Sequence, residues 1–107
     1  MEREFEIAVD KYVDFICMSY VGRHQLPGPI RDRMIAEFND SVRVIMGVKY
    51  LKVVASDGAH SFIVMKADGK FRCGDVLKAA SWASPAKNFA RANVFDGNFM
   101  NISWAGA

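Results

Sequence analysis

Nowhere in these 107 residues does an apolar run approach the length of about 18 that a membrane-spanning helix needs. The opening Met-Glu-Arg-Glu-Phe-Glu is charged where a secretory leader turns apolar. The expectation is a cytosolic protein with no membrane partner. Cysteine is scarce: Cys17 and Cys73, one in a predicted helix and one in a predicted strand, read as reduced, buried thiols rather than a disulfide framework. The two histidines and two cysteines are scattered over unrelated elements, without the spacing of metal ligands. No glycine cluster lies between a strand and a helix, which excludes the phosphate-cradling loops of nucleotide-binding folds. Repeats and low-complexity tracts are absent too. No metal, cofactor or catalytic residue is expected.

What is present suffices for one ordinary domain spanning residues 1–107. Apolar residues make up 51% and charged residues 24%, the balance of a chain that buries a core without a staple. The net charge of +2 conceals a division. Residues 1–40 carry five Lys/Arg against eight Asp/Glu, and residues 41–107 carry nine against four. The basic half suits nucleic acid or an acidic protein as partner.

Residues 1–40 form the helical part. Phe5, Ala8, Val9, Tyr12, Val13, Ile16 and Tyr20 recur at steps of three and four from Glu2 to Val21, and Gly22 can close this amphipathic helix. A connector, Gln25-Leu-Pro-Gly-Pro29, leads into a second helix that buries Ile30, Met34 and Phe38 and ends at Asn39-Asp40-Ser41. Residues 42–107 form the sheet part. Asp57-Gly58 and Asp68-Gly69 divide alternating runs at about Val48–Ala55, His60–Lys66 and Lys70–Leu77 into a three-stranded antiparallel meander. Two-residue loops there place Val53 opposite Phe62 and Val64 opposite Cys73. Leu51, Val53, Phe62, Val64, Phe71 and Cys73 then share the face to be buried. Tyr50, Lys52, Val54, Ser61, Ile63, Met65, Arg72 and Gly74 share the other, with a bend at Gly74-Asp75.

Beyond the meander, Ser84 suits an N-cap and Pro85 a first helical position, so a short helix over Pro85–Asn93 is expected. It would pack Phe89 and project Lys87 and Arg91 together. An extra strand over Phe99–Trp104 is a further expectation. The fold class is thus α+β.

A Cys73/His60 nucleophilic pair is disfavoured because the register sets Cys73 opposite Val64, four residues along from His60, more than about 10 Å away at the strand rise. His24, in the proline-flanked loop, reads as a surface residue. Asp57, Asp68 and Asp75 are accounted for by turns and a glycine kink. An enzyme site would have to be assembled from Asp75, Ser81 and His60 near one sheet end. The more coherent constellation is a nucleic-acid surface: Tyr50, Lys52 and Arg72 on the second sheet face, with Lys78, Trp82, Lys87 and Arg91 beyond it, mixes phosphate-contacting cations with rings that stack on bases. The competing reading is that the helix at 85–93 covers this face, burying Phe89 and Trp82 and leaving its cations solvated. Trp104, near Phe99 and Ile102, either closes the core or projects an apolar patch.

Gly47-Val-Lys-Tyr-Leu-Lys-Val-Val54, Ser61-Phe-Ile-Val64 and, above all, Gly74-Asp-Val-Leu-Lys-Ala-Ala-Ser-Trp82 with Pro85-Ala-Lys87, Ala90-Arg91 and Asn93-Val94 resemble a family of small uncharacterised tailed-phage proteins. The resemblance covers residues 42–104 and implies an accessory protein in the cytoplasm of an infected bacterial host. It implies no particular activity. The leading expectation is a non-enzymatic, nucleic-acid-binding protein. The alternative is a protein-binding inhibitor of a host enzyme or defence factor, using the acidic first helix or the Trp104 tail. A homodimer is a third option, since Cys17, Met18 and Tyr20 give the first helix apolar groups on more than one side.

Overall fold

A computed structural model describes residues 2–23 and 27–107; His24, Gln25 and Leu26 lie outside the described residues. Two helices are followed by five antiparallel strands, so the fold is α+β. Helix α1 (Arg3–Arg23) carries Glu4 and Glu6 in its first turn, where carboxylates complement the helix dipole. Its Phe5, Ala8, Val9, Tyr12 and Ile16 are buried, as their spacing predicts. The helix runs through Gly22 rather than closing there. Helix α2 (Pro29–Ser41) starts on Pro29 as expected but buries Phe38 only, leaving Ile30 and Met34 exposed. At its end Ser41 Oγ donates to the Phe38 carbonyl at 2.6 Å and accepts the Ser56 N–H at 2.9 Å, tying α2 to the sheet.

The strands are β1 (Arg43–Met46), β2 (Tyr50–Ala55), β3 (Gly58–Val64), β4 (Asp75–Lys78) and β5 (Ala92–Asn93), ordered in space as in sequence. The meander is therefore longer than the three strands expected. Strand β1 was not anticipated. It joins β2 through a tight turn in which Gly47 N–H donates to the Tyr50 carbonyl at 2.9 Å, and a Cβ on Gly47 would lie 2.7 Å from that oxygen.

Both Asp-Gly turns exist, each displaced by one residue. The first loop is Ser56-Asp57, with φ of 51° and 64°, and Gly58 already pairs with Ala55. That is the backbone of a type I′ turn. The second loop is Gly69-Lys70, closed by two hydrogen bonds of 3.0 Å between Asp68 and Phe71.

A larger correction comes from one extra residue in β3. Val54 pairs with Ala59 and Val53 with Ser61, so His60 is left over as a β-bulge. An inserted residue exchanges the two faces of everything that follows it. Leu51, Val53, Ile63 and Val76 consequently pack with α1 in the main core, with Ser61 beside them. Phe62, Val64 and Leu77 form a second cluster with Tyr50 on the opposite face. The expectation that Phe62 and Val64 share a face with Leu51 and Val53 is overturned.

The third predicted strand is shortened to β4, because Gly74 (φ 91°) bends the chain just before it, as foreseen. The helix expected over Pro85–Asn93 does not form. Its residues run along the open edge of β4: Ala86 N–H donates to the Lys78 carbonyl and Arg91 N–H to the Val76 carbonyl, both at 2.7 Å, and Val94 N–H to the Gly74 carbonyl at 2.9 Å. A nine-residue helix is marginal in water, whereas these bonds satisfy strand carbonyls that would otherwise be unpaired. Ser84, in place of capping a helix, offers its carbonyl to the N–H groups of Ala80 and Ser81.

No strand forms over Phe99–Trp104. The tail instead closes the helical layer, with Phe99 and Ile102 buried and Trp104 edge-on to Tyr20 (5.2 Å) and Phe38 (6.2 Å), themselves stacked at 4.1 Å. Of the two options for Trp104, packing is the one observed.

A polar chain crosses this core and explains the bulge. His60 Nε2 lies 2.6 Å from the Ser103 carbonyl, so that nitrogen carries the proton of the neutral ring. Nδ1 then accepts from Ser61 Oγ at 2.9 Å, and Ser61 Oγ accepts from the Tyr12 hydroxyl at 2.7 Å. Only a bulge lets adjacent residues His60 and Ser61 both turn to this face. Burial lowers the His60 pKa from the ordinary 6.5, partly opposed by its bond to the Ser103 carbonyl. A folded-state pKa below the unfolded one means that the unfolded chain takes up the proton first. Stability is therefore expected to fall as pH drops below about 6.5. Urea melts between about pH 7.5 and pH 5 should show this loss, and His60→Gln should lack it.

Candidate nucleic-acid interface

The sheet face away from the helices has an apolar floor of Phe62, Val64 and Leu77, and two excursions of the chain fold over it. The first is the turn after β4. There Ser81 Oγ accepts the N–H groups of Ala83 and Ser84, a local motif that favours a turn over helix, and Trp82 is carried back across the sheet. The Lys52 ammonium, rising from β2, sits 4.0 Å from the centre of the Trp82 ring. The indole is still 49% exposed. A ring with a cation on one face and half its surface in water has its other face to offer a ligand.

The second excursion is residues 87–90, which leave the β4 edge after Ala86 and rejoin it at Arg91. Lys70 Nζ holds the Asn88 carbonyl. Arg91 holds the Phe89 carbonyl at 2.9 Å and lies 3.7 Å over the Phe89 ring. Lys87 reaches over the Tyr50 ring at 5.9 Å. Beside Tyr50 the surface sinks into a concavity of about 300 Å³ with Val64 and Phe71 in its lining and Lys49 and Lys66 among its residues.

Four of the seven expected residues thus come together: Tyr50, Lys52, Trp82 and Lys87. Arg91 stands at the border of this surface, engaged with Phe89 and Asn88. Arg72 and Lys78 lie elsewhere. The Arg72 guanidinium faces Asp96 at 3.3 Å and Asp75 at 3.9 Å, so its charge is answered within the chain. Lys78 pairs with Ser61, whose side chain points to α1, and lines a concavity with His60 and Ser103 on the helical side. For Lys78 the bulge at His60 is the reason; Arg72 lies outside the strands, in the bend before Gly74, where its N–H donates to Asp75 Oδ2.

Residues that sequence reasoning passed over are Lys49, Lys66 and Phe89. Phe89 was assigned to the packed side of a helix, and in the extended excursion it is 58% exposed. The two lysines carried no signal beyond charge, because their convergence depends on where the turns fall.

The candidate groups for nucleophilic chemistry are buried or held apart. Ser61, the one hydroxyl bonded to a histidine ring, is wholly buried. Asp75 opens β4 and Ser81 lies beyond its other end, about 10 Å of strand apart at the least, and they do not form a site with His60. Burial pushes the thiols of Cys17 and Cys73 up from 9.0, away from the reactive thiolate. Among the described residues no cluster of three His, Cys, Asp or Glu side chains is placed to hold a metal ion, and no helix is long and apolar enough to cross a membrane. Comparison with protein-family models, curated proteins and solved structures finds nothing that matches this chain.

Proposed function

We propose that the sheet face bearing Trp82 binds single-stranded nucleic acid, in a small non-enzymatic accessory protein of phage type acting in the cytoplasm of an infected bacterium. The observation that carries the reading is the pairing of cations with aromatic rings: Lys52 with the half-exposed Trp82 and Lys87 with the partly buried Tyr50 on one face, and Arg91 with the exposed Phe89 at its border. Buried cation and ring pairs would only cement a core; the rings of Trp82 and Phe89, 49% and 58% exposed, remain open to a ligand. Cations track a phosphate backbone while aromatic faces take unstacked bases, and this combination tolerates many sequences. Duplex DNA, whose bases are already stacked, has less to gain from the rings. The phage setting comes from the resemblance of residues 42–104.

The test is a fluorescence-anisotropy titration of a labelled single-stranded oligonucleotide at low and moderate salt. Affinity should fall with salt along a log–log line, and removing Lys52 or Lys87 should flatten its slope by about 0.7 each. No binding at low salt retires the proposal.

A protein partner, such as a host enzyme or defence factor, is the second reading, and strand β1 favours it. It is a sheet edge with exposed Val44, Ile45 and Met46, followed by the nearly naked Val48 (98% exposed). An extended segment of another protein can add to such an edge.

A further inference from the structure

The outward side of α1 carries a stripe at alternating steps of three and four: Glu4, Ile7, Lys11, Asp14 and Met18. These side chains share one helix flank. All five are exposed, Ile7 by 43% and Met18 by 73%, and neither Lys11 nor Asp14 forms an ion pair among the described residues. Alongside runs a groove of about 540 Å³, whose second wall is the 94–99 segment with the half-exposed ring of Phe95.

Read in reverse, the stripe matches itself. From Ile7 to Met18 it runs apolar, cation, anion, apolar, so an identical helix turned end for end sets Ile7 against the partner's Met18 and Lys11 against the partner's Asp14. A parallel copy would oppose like charges. The two-fold axis implied by these pairings passes beside Tyr12-Val13, which is the middle of a helix spanning Arg3–Arg23. The two helices therefore overlap along almost their whole length, about 30 Å. This is the charge pattern and spacing by which antiparallel helices select one another.

We infer that the chain forms a two-fold homodimer through antiparallel packing of α1 against α1 of a second copy, with Ile7 and Met18 as its apolar contacts and Lys11 and Asp14 as its register. Phe95 and the 94–99 segment flank each partner helix. Helix α1 covers the sheet face opposite Trp82, so the dimer leaves the proposed nucleic-acid surface open on both copies. The inference stands independently of that reading.

Sedimentation equilibrium of the full chain at roughly 100 μM, a range in which modest self-association registers, tests it. The parent should show twice the 12.0 kDa chain mass. Lys11→Asp and Asp14→Lys should each show one chain mass, since each opposes like charges at both symmetry-related pairs. An equimolar mixture of these two variants should recover the doubled mass, because one chain then presents two anions to two cations. Met18→Glu, at the most exposed apolar position, should also be monomeric, and thermal melts should find all variants folded. Oligonucleotide affinity per chain should not change. A monomeric parent overturns the inference, and so does a dimeric parent whose single reversals stay dimeric or whose mixture stays monomeric.

Discussion

Replacing Trp82 with alanine should weaken binding of a single-stranded oligonucleotide roughly five- to hundredfold, the range that removal of one stacking ring spans. The ring is half exposed and belongs to neither core cluster, so thermal stability should stay within about 0.5 kcal/mol of the parent. That split is what separates a ligand platform from a packing anchor, the other role open to this residue from sequence. Trp82→Phe should retain most of the affinity, because a flat face over the Lys52 cation survives. Lys52→Ala should also cost affinity, in two ways: it removes a phosphate contact and frees the ring that the ammonium positions at 4.0 Å. The Trp82 and Lys52 losses should therefore fail to add in the double variant. Equal binding by parent and Trp82→Ala would remove the ring from the site.

Asn93→Asp should destabilise the fold by roughly 3 kcal/mol or more at neutral pH, although it changes a single atom group. Asn93 is buried and its amide is fully used. Nδ2 donates to the Cys73 carbonyl at 3.1 Å and to Asp75 Oδ1 at 2.9 Å, while Oδ1 accepts the Phe95 N–H at 2.9 Å. Asp75 is held in turn by the Arg72 N–H at 2.8 Å. An aspartate at position 93 loses both donors and sets one carboxylate against another where water is excluded. Two carboxylates so close cannot both stay ionised. The folded variant therefore binds a proton that its unfolded chain gives up, and its deficit relative to the parent should shrink as pH falls toward about 4. Urea melts of both proteins across that range supply the check. A deficit that does not change with pH would mean that the two side chains part on substitution.

This cluster also shows why some of the fold is legible in the chain and some is not. The spacing of Phe5, Val9, Tyr12 and Ile16 announces α1, because a helix face is a local property. The Asp-Gly dipeptides announce both turns to within one residue, since positive φ is a local demand. The bulge at His60 is different. It is fixed by a carbonyl 43 residues further on, and no window of sequence contains both groups. The segment Pro85–Asn93 has good local helix signals, a serine before a proline and a run of helix formers. They are overridden by the unpaired edge of β4, and by Asn93 itself, whose buried bonds need extended chain.

The site follows the same division. Tyr50 and Lys52 fall on one face because alternation along β2 survives the bulge in its neighbour, and the turns after β4 bring Trp82 to Lys52 and Lys87 to Tyr50. Arg72 departs from the expectation because it sits in the bend before Gly74 and not in a strand, where alternation does not apply. Lys78, expected beyond the second face, turns to the helical side because its partner Ser61 points inward to Tyr12. Phe89 escaped notice because a helix would have packed it.

The emission of Trp82 tests the central claim most directly. In Trp104→Phe the remaining indole reports on this surface alone, and Trp104 packs edge-on to Tyr20 and Phe38 far from the second sheet face, where a phenyl ring can substitute. Titration with a single-stranded oligonucleotide at low salt should quench that emission in step with anisotropy, and added salt should reverse both together. Binding that leaves the emission of Trp82 unaltered would place the ligand elsewhere and contradict the account.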